Sequence, residues 1–253
     1  MIELGRLDIN VEISLLSRYM AAPRIGHLTQ LLHIFHYLHS HRCMELTFDP
    51  TKINVNESAT LPHQRAKFKA TAMRQLYPDS IDYLPANAPE ALGKSVQLNA
   101  FVDADLAGEL TTRRSQTGII VYGNMAPLVW LSKRQNTVES STFGSEFVAL
   151  RALVEILIGL RYKLRMFGVP IDGPCNVFCD NEAVTKSSMN PDTTLKKKHI
   201  SISFHQAREA VAAGIMLVFY EGTKTNHSDL FTKVLNNVDR KRLMSYICGK
   251  VAT

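Results

Sequence analysis

The chain has 253 residues, 45% of them hydrophobic, and its 29 Lys and Arg against 23 Asp and Glu give a formal net charge of +6. These values suit one or two globular domains, exclude a low-complexity chain and favour an anionic partner. Four scattered cysteines show neither paired metal-binding spacing nor a disulfide framework, and no apolar run is long enough to span a bilayer. We therefore expect an intracellular protein without membrane contact.

Residues 1–49 are predicted to be a mostly helical segment. Apolar residues recur at helical spacing from Leu15 to Tyr19 and from Leu28 to Leu38, with a break near Pro23 and Gly26. Residues 50–96 lack periodicity and are rich in Pro, Asn, Ser and Asp, which predicts a linker or connection with at most one short helix. Because so long a structureless insertion is unusual inside a compact domain, we place a domain boundary there.

The central domain is predicted to begin at residue 97 with three short strands. They cover Val96–Val102, Ile119–Tyr122 and Pro127–Ser132. Gly123 and Asn124 between the last two give a hairpin signal, so these strands should be antiparallel.

Helices and strands are then predicted to alternate. A long helix is expected over Ser141–Phe167, a strand over Val177–Asp180, a helix over Ser201–Val211, a strand over Ile215–Tyr220 and a last helix from Ser228. This order predicts an α/β fold, a mixed sheet with helices on its faces. Residues 236–253 are predicted to be a C-terminal tail.

Four acidic residues stand at the ends of these predicted elements: Asp103, Glu146, Asp180 and Asp229. If the first and fourth strands are neighbours, all four can converge at one edge of the sheet, where a hard cation such as Mg2+ would cancel their repulsion. Asp105 shares a strand face with Asp103. Each acid alone also has a structural explanation: a solvated turn, an exposed helix position or a favourable charge at a helix N-terminus.

Seven motifs occur in one order between residues 97 and 235. They are Phe101-Val-Asp-Ala-Asp-Leu-Ala-Gly108, Arg114-Ser-Gln-Thr-Gly118, Trp130-Leu-Ser-Lys-Arg-Gln135, Glu139-Ser-Ser-Thr-Phe-Gly-Ser-Glu146-Phe, Cys179-Asp-Asn181, Lys198-His-Ile-Ser-Ile-Ser-Phe-His205 and Asp229-Leu-Phe-Thr-Lys233. Together they resemble the ribonuclease H domain of copia-type retrotransposon polyproteins. The opening, with Ser14-Leu-Leu-Ser-Arg18 and His27-Leu-Thr-Gln-Leu-Leu-His33, resembles the end of the same polyprotein's reverse transcriptase. No Tyr-x-Asp-Asp polymerase signature occurs in the sequence.

The resemblance implies a ribonuclease H-like mixed five-stranded sheet, preceded by a thumb-like or connection-like helical segment. It implies hydrolysis of the RNA strand of RNA–DNA hybrids during reverse transcription, with two Mg2+ ions about 4 Å apart that Mn2+ could replace. The implied catalytic metal ligands are Asp103, Glu146, Asp180 and Asp229, and Asp105 ranks below Asp103. The choice of Glu146 over Glu139 or Glu155 rests on the motif, because spacing alone leaves all three open. The implied partners are the hybrid and the palm and fingers of the same polyprotein, in a cytoplasmic retroelement particle or in the nucleus.

Nucleic-acid contacts are expected from basic and polar residues beside the acids, although a solvated lysine run is the common explanation for such a cluster. The expected contacts are Arg113, Arg114, Lys133, Arg134, Asn181, Lys196, Lys197, Lys198, His199, His205 and Arg208.

The loop before the last acid departs from cellular ribonucleases of this fold, which carry a histidine there. Residues 221–226 contain none, and His227 stands two positions before Asp229, so proton handling or product release should differ. Three functions stay open: an active hybrid endonuclease, a non-catalytic truncated retroelement remnant that at most binds nucleic acid, and a related DNA-acting nuclease such as an integrase. The fourth acid argues against the last.

Overall fold

The computed structural model describes residues 5–51, 70–109 and 111–248. Five strands form one sheet: β1 (Leu98–Asp105), β2 (Gln116–Gly123), β3 (Ala126–Arg134), β4 (Cys175–Cys179) and β5 (Met216–Tyr220). Their order is β3-β2-β1-β4-β5. Strand β2 pairs antiparallel with β1 and β3, whereas β4 pairs parallel with β1 and β5. The predicted mixed five-stranded sheet is confirmed, with the first and fourth strands adjacent.

The described residues also form helices α1 (Asn10–Ser17), α2 (Ile25–Ser40), α3 (Ala70–Leu76), α4 (Thr142–Met166), α5 (Glu182–Met189), α6 (Ser201–Ala212), α7 (Asp229–Thr232) and α8 (Asn237–Met244). Helix α5 was not predicted because its buried side chains are mostly small and polar, which leaves a weak apolar pattern. None of the helices in the described ranges is long and apolar enough to cross a membrane.

The central strands are buried on both faces. Strands β1, β2 and β4 have almost no exposed residue, and their sequences are correspondingly apolar on both sides. Helices α4 and α6 pack together over one face, while α7 and α1 pack on β3 and its neighbours from the other. This two-sided cover leaves the ends of β1 and β4 as the place where polar side chains can meet.

The described part of the predicted tail is structured, which corrects that prediction. Leu243 and Ile247 are each 1% exposed and belong to the same hydrophobic core as the strands. Arg240 of α8 donates to Glu12 Oε1 at 2.9 Å, and its guanidinium lies 4.5 Å from the ring centre of Tyr37. The first turn of α8 is polar and its buried residues lie in the last turn. The apolar periodicity that would predict a helix is therefore weak.

The predicted linker lies partly outside the described residues, which resume at residue 70. Met73 of α3 is fully buried and α3 packs on α6. Asp82 accepts hydrogen bonds from Arg161 at 2.7 and 3.0 Å and also pairs with Arg165, both on α4. The described segments on both sides of the central domain therefore pack against it.

Candidate metal centre

Asp103 lies near the end of β1 and is only 3% exposed. It pairs with Gly118 of β2, and the hydroxyl of Thr232 on α7 donates to Asp103 Oδ2 at 2.6 Å. A Cβ atom at position 118 would lie 2.6 Å from the backbone oxygen of Ser228. Glycine is therefore what allows α7 to approach the strand that pairs with Asp103.

Glu146 reaches the same place from α4. The hydroxyl of Ser141 caps this helix by accepting from Gly144 N at 3.3 Å, so Glu146 falls in the first two turns. Glu146 Oε1 accepts from Ala104 N at 3.3 Å, and the thiol of Cys179 donates to Oε2 at 3.9 Å. The helix thus brings this carboxylate to the ends of β1 and β4.

Asp180 and Asp229 complete the cluster. Asp180 directly follows β4, whose parallel pairing with β1 places it beside Asp103, and Thr223 donates to its Oδ2 at 3.1 Å. Asp229 opens α7 and is 7% exposed. Lys233 Nζ lies 3.2 Å from Asp229 Oδ1 and 3.5 Å from Asp103 Oδ2.

The four acids form two overlapping groups. Carboxylate oxygens of Asp103, Asp180 and Asp229 all lie within 4.8 Å of one another, and ligand atoms of Glu146, Cys179 and Asp180 meet the same limit. Asp180 belongs to both groups. The structure therefore brings together the four acids that the sequence analysis selected.

Asp105 is a fifth acid of this region and lies outside both groups. It is half-buried, and a Cβ atom at Gly108 would collide with its carboxylate. Its side chain turns toward the loop that follows β1, so its lower rank as a ligand stays a prediction.

Burial and mutual repulsion shape the charge of the centre. The pKa of Glu146 is raised well above its usual range, the pKa of Asp180 is raised above its usual range, and the pKa of Asp229 is raised to about 7. Burial is the largest cause in each case. The negative charge of Asp103 is the second cause for all three, and Lys233 opposes it at Asp180 and Asp229. Carboxyls whose ionised form is disfavoured in this way would gain from a bound cation.

A hard divalent cation fits this donor set. Carboxylate oxygens are the ligands that such cations prefer, and one lysine leaves an excess of negative charge among four converging acids. Burial raises the pKa of the Cys179 thiol well above its usual range, and a soft sulfur atom suits a hard divalent cation less well than carboxylate oxygens do. The ligands available to a divalent cation are therefore Asp103, Glu146, Asp180 and Asp229.

The raised carboxyl pKa values predict how metal-free stability depends on pH. An acid with a raised folded-state pKa stabilises the fold below its unfolded pKa of about 4, and this contribution is lost as pH rises through the folded pKa. For Asp229 that window ends at about pH 7.

We expect Mg2+ to raise the melting temperature much more at about pH 8 than at about pH 5.5, because metal binding must displace protons at low pH. Thermal melts in EDTA and in excess Mg2+ measure this. An equal Mg2+ effect at both pH values would contradict it, and Asp229→Asn should flatten the dependence.

The chain resembles known transposon proteins over about three fifths of its length. It is 31% identical over 146 residues to the Retrovirus-related Pol polyprotein from transposon RE2 of Arabidopsis thaliana, covering 58% of this chain and 10% of that protein. It is 30% identical over 155 residues to the corresponding polyprotein from transposon RE1 of the same plant, covering 61% and 11%. These two relatives and a third, from transposon TNT 1-94 of Nicotiana tabacum (30% identical over 143 residues), are Pol polyproteins of copia-type transposons. The chain spans about a tenth of the length of these relatives, and no family model matches it.

Among solved structures, the N-terminal RNase H domain of rv2228c from Mycobacterium tuberculosis aligns with 60% of this chain and 98% of that domain, at a TM-score of 0.43 and 14% identity. The expected resemblance to copia-type polyproteins is confirmed, and the expected mixed five-stranded sheet with flanking helices is present.

The lysine-rich segment, residues 196–199, lies beside the start of α4. Lys197 Nζ donates to Ser141 Oγ at 2.5 Å, and His199 Nε2 lies 3.4 Å from Glu139 Oε2. Because Ser141 caps the helix that carries Glu146, this segment lies near the acid groups. Its exposed side chains are Lys196, Lys198 and His199.

A second basic group borders the same end of the sheet. Strand register places Lys133 opposite Thr117, which in turn lies opposite Ala104 of β1. Arg134 is held by Glu109 at 2.9 Å. The exposed members of this group are Arg113 and Lys133, and the half-buried members are Arg114 and Arg134.

Arg208 requires a correction as an expected nucleic-acid contact. It is 2% exposed, and its guanidinium donates to the carbonyl oxygens of Ser187 and Asn190 at 2.8 Å and of Pro191 at 2.9 Å. These bonds engage the guanidinium inside the protein. The sequence could not show this because helix α5, whose end Arg208 covers, was not predicted.

Two other expected contacts have internal partners but stay accessible. The amide oxygen of Asn181 accepts from the first backbone N–H groups of α5 and so caps that helix. His205 is exposed, and its Nδ1 lies 2.8 Å from the hydroxyl of Tyr77. Their role toward nucleic acid stays a prediction.

His227 faces the core and not the acid cluster. Its ring stacks on Phe101 and Tyr246 at centroid distances of 4.1 and 4.7 Å, and Nδ1 lies 2.9 Å from the hydroxyl of Tyr122. Burial lowers the pKa of His227 to about 3. The imidazole is therefore neutral and structural, and it cannot serve as the loop histidine of cellular ribonucleases.

Three side chains that support the acids were not predicted from the sequence. Thr232 bonds Asp103, Thr223 bonds Asp180 and Lys233 pairs with two acids. For Thr232 and Lys233 a signal was present, because positions three and four after Asp229 lie on the same side of a helix. Thr223 gave no such signal, because a loop brings it to the site.

Proposed function

We propose that the chain is a metal-dependent endonuclease that hydrolyses the RNA strand of RNA–DNA hybrids, as the ribonuclease H portion of a retrotransposon polyprotein. The observation that carries this proposal is the convergence of four carboxylates at the ends of β1 and β4. The similarity to transposon Pol polyproteins supports the same proposal.

Two Mg2+ ions are the proposed cofactor, with Mn2+ as a substitute. Asp103 and Asp229 would serve one ion and Glu146 the other, with Asp180 common to both groups. When bound, the ions supply Lewis-acid stabilisation of phosphate charge and a water of lowered pKa. Asp103 is also the charge that most affects the other three acids, which supports a central role for it.

The chain's own residues would position the acids and the substrate. Thr232 and Thr223 hold the Asp103 and Asp180 carboxylates in place through their hydroxyls. Lys196 and Lys198 are exposed beside the helix that carries Glu146, so they are suited to contact phosphates of the hybrid. Such contacts fix register, while 2′-hydroxyls distinguish RNA from DNA.

The polymerase portion of the same polyprotein is the proposed protein partner. Apolar side chains of α2 are exposed: Ile25 is 85% exposed, and Leu28 and Phe35 are each 56% exposed. Large exposed apolar residues on one helix favour burial by another protein surface. The proposed location is a cytoplasmic retroelement particle or the nucleus.

The test is cleavage of the RNA strand of an RNA–DNA hybrid in Mg2+, with duplex DNA and single-stranded RNA as comparison substrates. We expect cleavage of the hybrid alone, lost in Asp180→Asn. The matched control is Glu155→Gln, which removes an exposed carboxylate of α4 that pairs with Arg151 and should cleave normally. A wild-type chain that binds hybrid but does not cut it in Mg2+ or Mn2+ would support the non-catalytic remnant, and DNA joining would support an integrase.

A further inference from the structure

Among the residues that the structure describes, Lys233 is the cation that contacts the acid cluster. Its Nζ lies between Asp229 Oδ1 at 3.2 Å and Asp103 Oδ2 at 3.5 Å, two of the three acids whose oxygens lie within 4.8 Å of one another. The ammonium therefore lies against two of the carboxylates that could hold a divalent cation.

An ammonium group and a divalent cation cannot share these oxygens closely. Lysine has three N–H donors and no lone pair, so it cannot join a coordination sphere. Two positive charges at contact distance repel strongly in a partly buried site, where the effective dielectric constant is well below that of water. A cation that binds Asp103 and Asp229 should therefore drive the ammonium away.

The position of Lys233 in the chain allows this movement. Lys233 is the first residue after α7 and has extended backbone angles of φ −132° and ψ 147°. Its side chain is 37% exposed. Rotation about its side-chain bonds can move the ammonium into solvent while Asp229 and Thr232 stay in place.

We infer that Lys233 is a resident counter-cation of the acid cluster, which a divalent cation must displace and which thereby sets the metal concentration at which the centre fills. This inference rests on one part of the proposed function, the binding of a divalent cation by the acid cluster. Lys233 is a positioning residue in this role, since it holds the acids together until the metal replaces it.

The test is direct binding of Mn2+ and Mg2+ to the full chain, by electron paramagnetic resonance and calorimetry. Lys233→Met keeps the aliphatic stem without the charge, and we expect it to bind about tenfold more tightly. Lys233→Arg keeps the charge and should stay within about twofold of wild type. The matched control is Lys224→Met, an exposed lysine in the turn beside Asp180, which should change affinity by less than about threefold.

A second measurement covers the case in which Lys233→Met does not fold without metal. The midpoint of a melting-temperature titration with Mg2+ should then move to lower Mg2+ concentration in this variant. Equal or weaker metal binding by Lys233→Met would overturn the inference and leave the proposed function intact. A wild-type chain that binds neither Mn2+ nor Mg2+ would overturn both.

Discussion

Replacing Asp103 by Asn is expected to slow hybrid cleavage by about 10³-fold or more while making the metal-free chain more resistant to heat. Metal-ion catalysis contributes several kcal/mol of transition-state stabilisation, and each 1.36 kcal/mol is tenfold in rate. The Asp103 charge is also a cause of the raised pKa of Glu146, Asp180 and Asp229. Its removal lowers the repulsion that these acids feel, while the new amide oxygen can still accept from Thr232.

Single-turnover cleavage and melting in EDTA at about pH 8 measure the two effects. Their opposite signs separate a lost metal ligand from a damaged fold, because misfolding would lower both quantities. Glu155→Gln serves again as the surface control. A variant that cleaves within about tenfold of wild type would show that Asp103 is not a metal ligand.

Ending the chain after Leu235 is expected to unfold it. This change deletes α8 and the core residues Leu243, Met244 and Ile247. Loss of a single large buried side chain costs about 2–5 kcal/mol, and a whole domain is stable by about 5–15 kcal/mol. The deletion also removes Tyr246, which stacks on His227 two residues before Asp229, so any folded remainder should bind metal poorly.

Circular dichroism melts and hydrogen exchange measure the effect of this truncation. The matched control is Lys241→Ala, which changes an exposed position of α8 and should melt like the full chain. A cooperative transition in the shorter chain within a few degrees of wild type would restore the view that residues 236–253 are a dispensable tail.

The acid cluster could be predicted because its members are tied to strong local patterns. Asp103 and Asp180 end apolar strands, and Glu146 lies beside the buried stripe of a long helix. Parallel pairing of β1 and β4 then requires the strand ends to meet. Hydrophobic periodicity gives the elements, whereas the choice of Glu146 over Glu139 and Glu155 rests on the motif, because spacing alone leaves all three open.

Features that depend on contacts between residues far apart in the sequence could not be predicted from local patterns. Arginine is usually exposed at the surface, so the sequence gives no reason to bury Arg208. Its burial follows from the turn after α5, whose carbonyl oxygens accept hydrogen bonds from the guanidinium. The charged start of α8 gave no sign of a packed helix for the same reason, since its buried side chains are few and Arg240 contacts Glu12 and Tyr37, which lie far away in the sequence.

The pairing of the two ends of the chain has a consequence for the order of folding during synthesis. Thr47 N donates to Ile247 O at 3.4 Å, and Leu46 bridges Cys248. The N-terminal helices therefore cannot complete their contacts until nearly the whole described chain has left the ribosome. Contacts between such distant residues slow folding and leave apolar surface exposed in the meantime. The nascent chain would thus carry this region as an incompletely folded, aggregation-prone intermediate until α8 emerges.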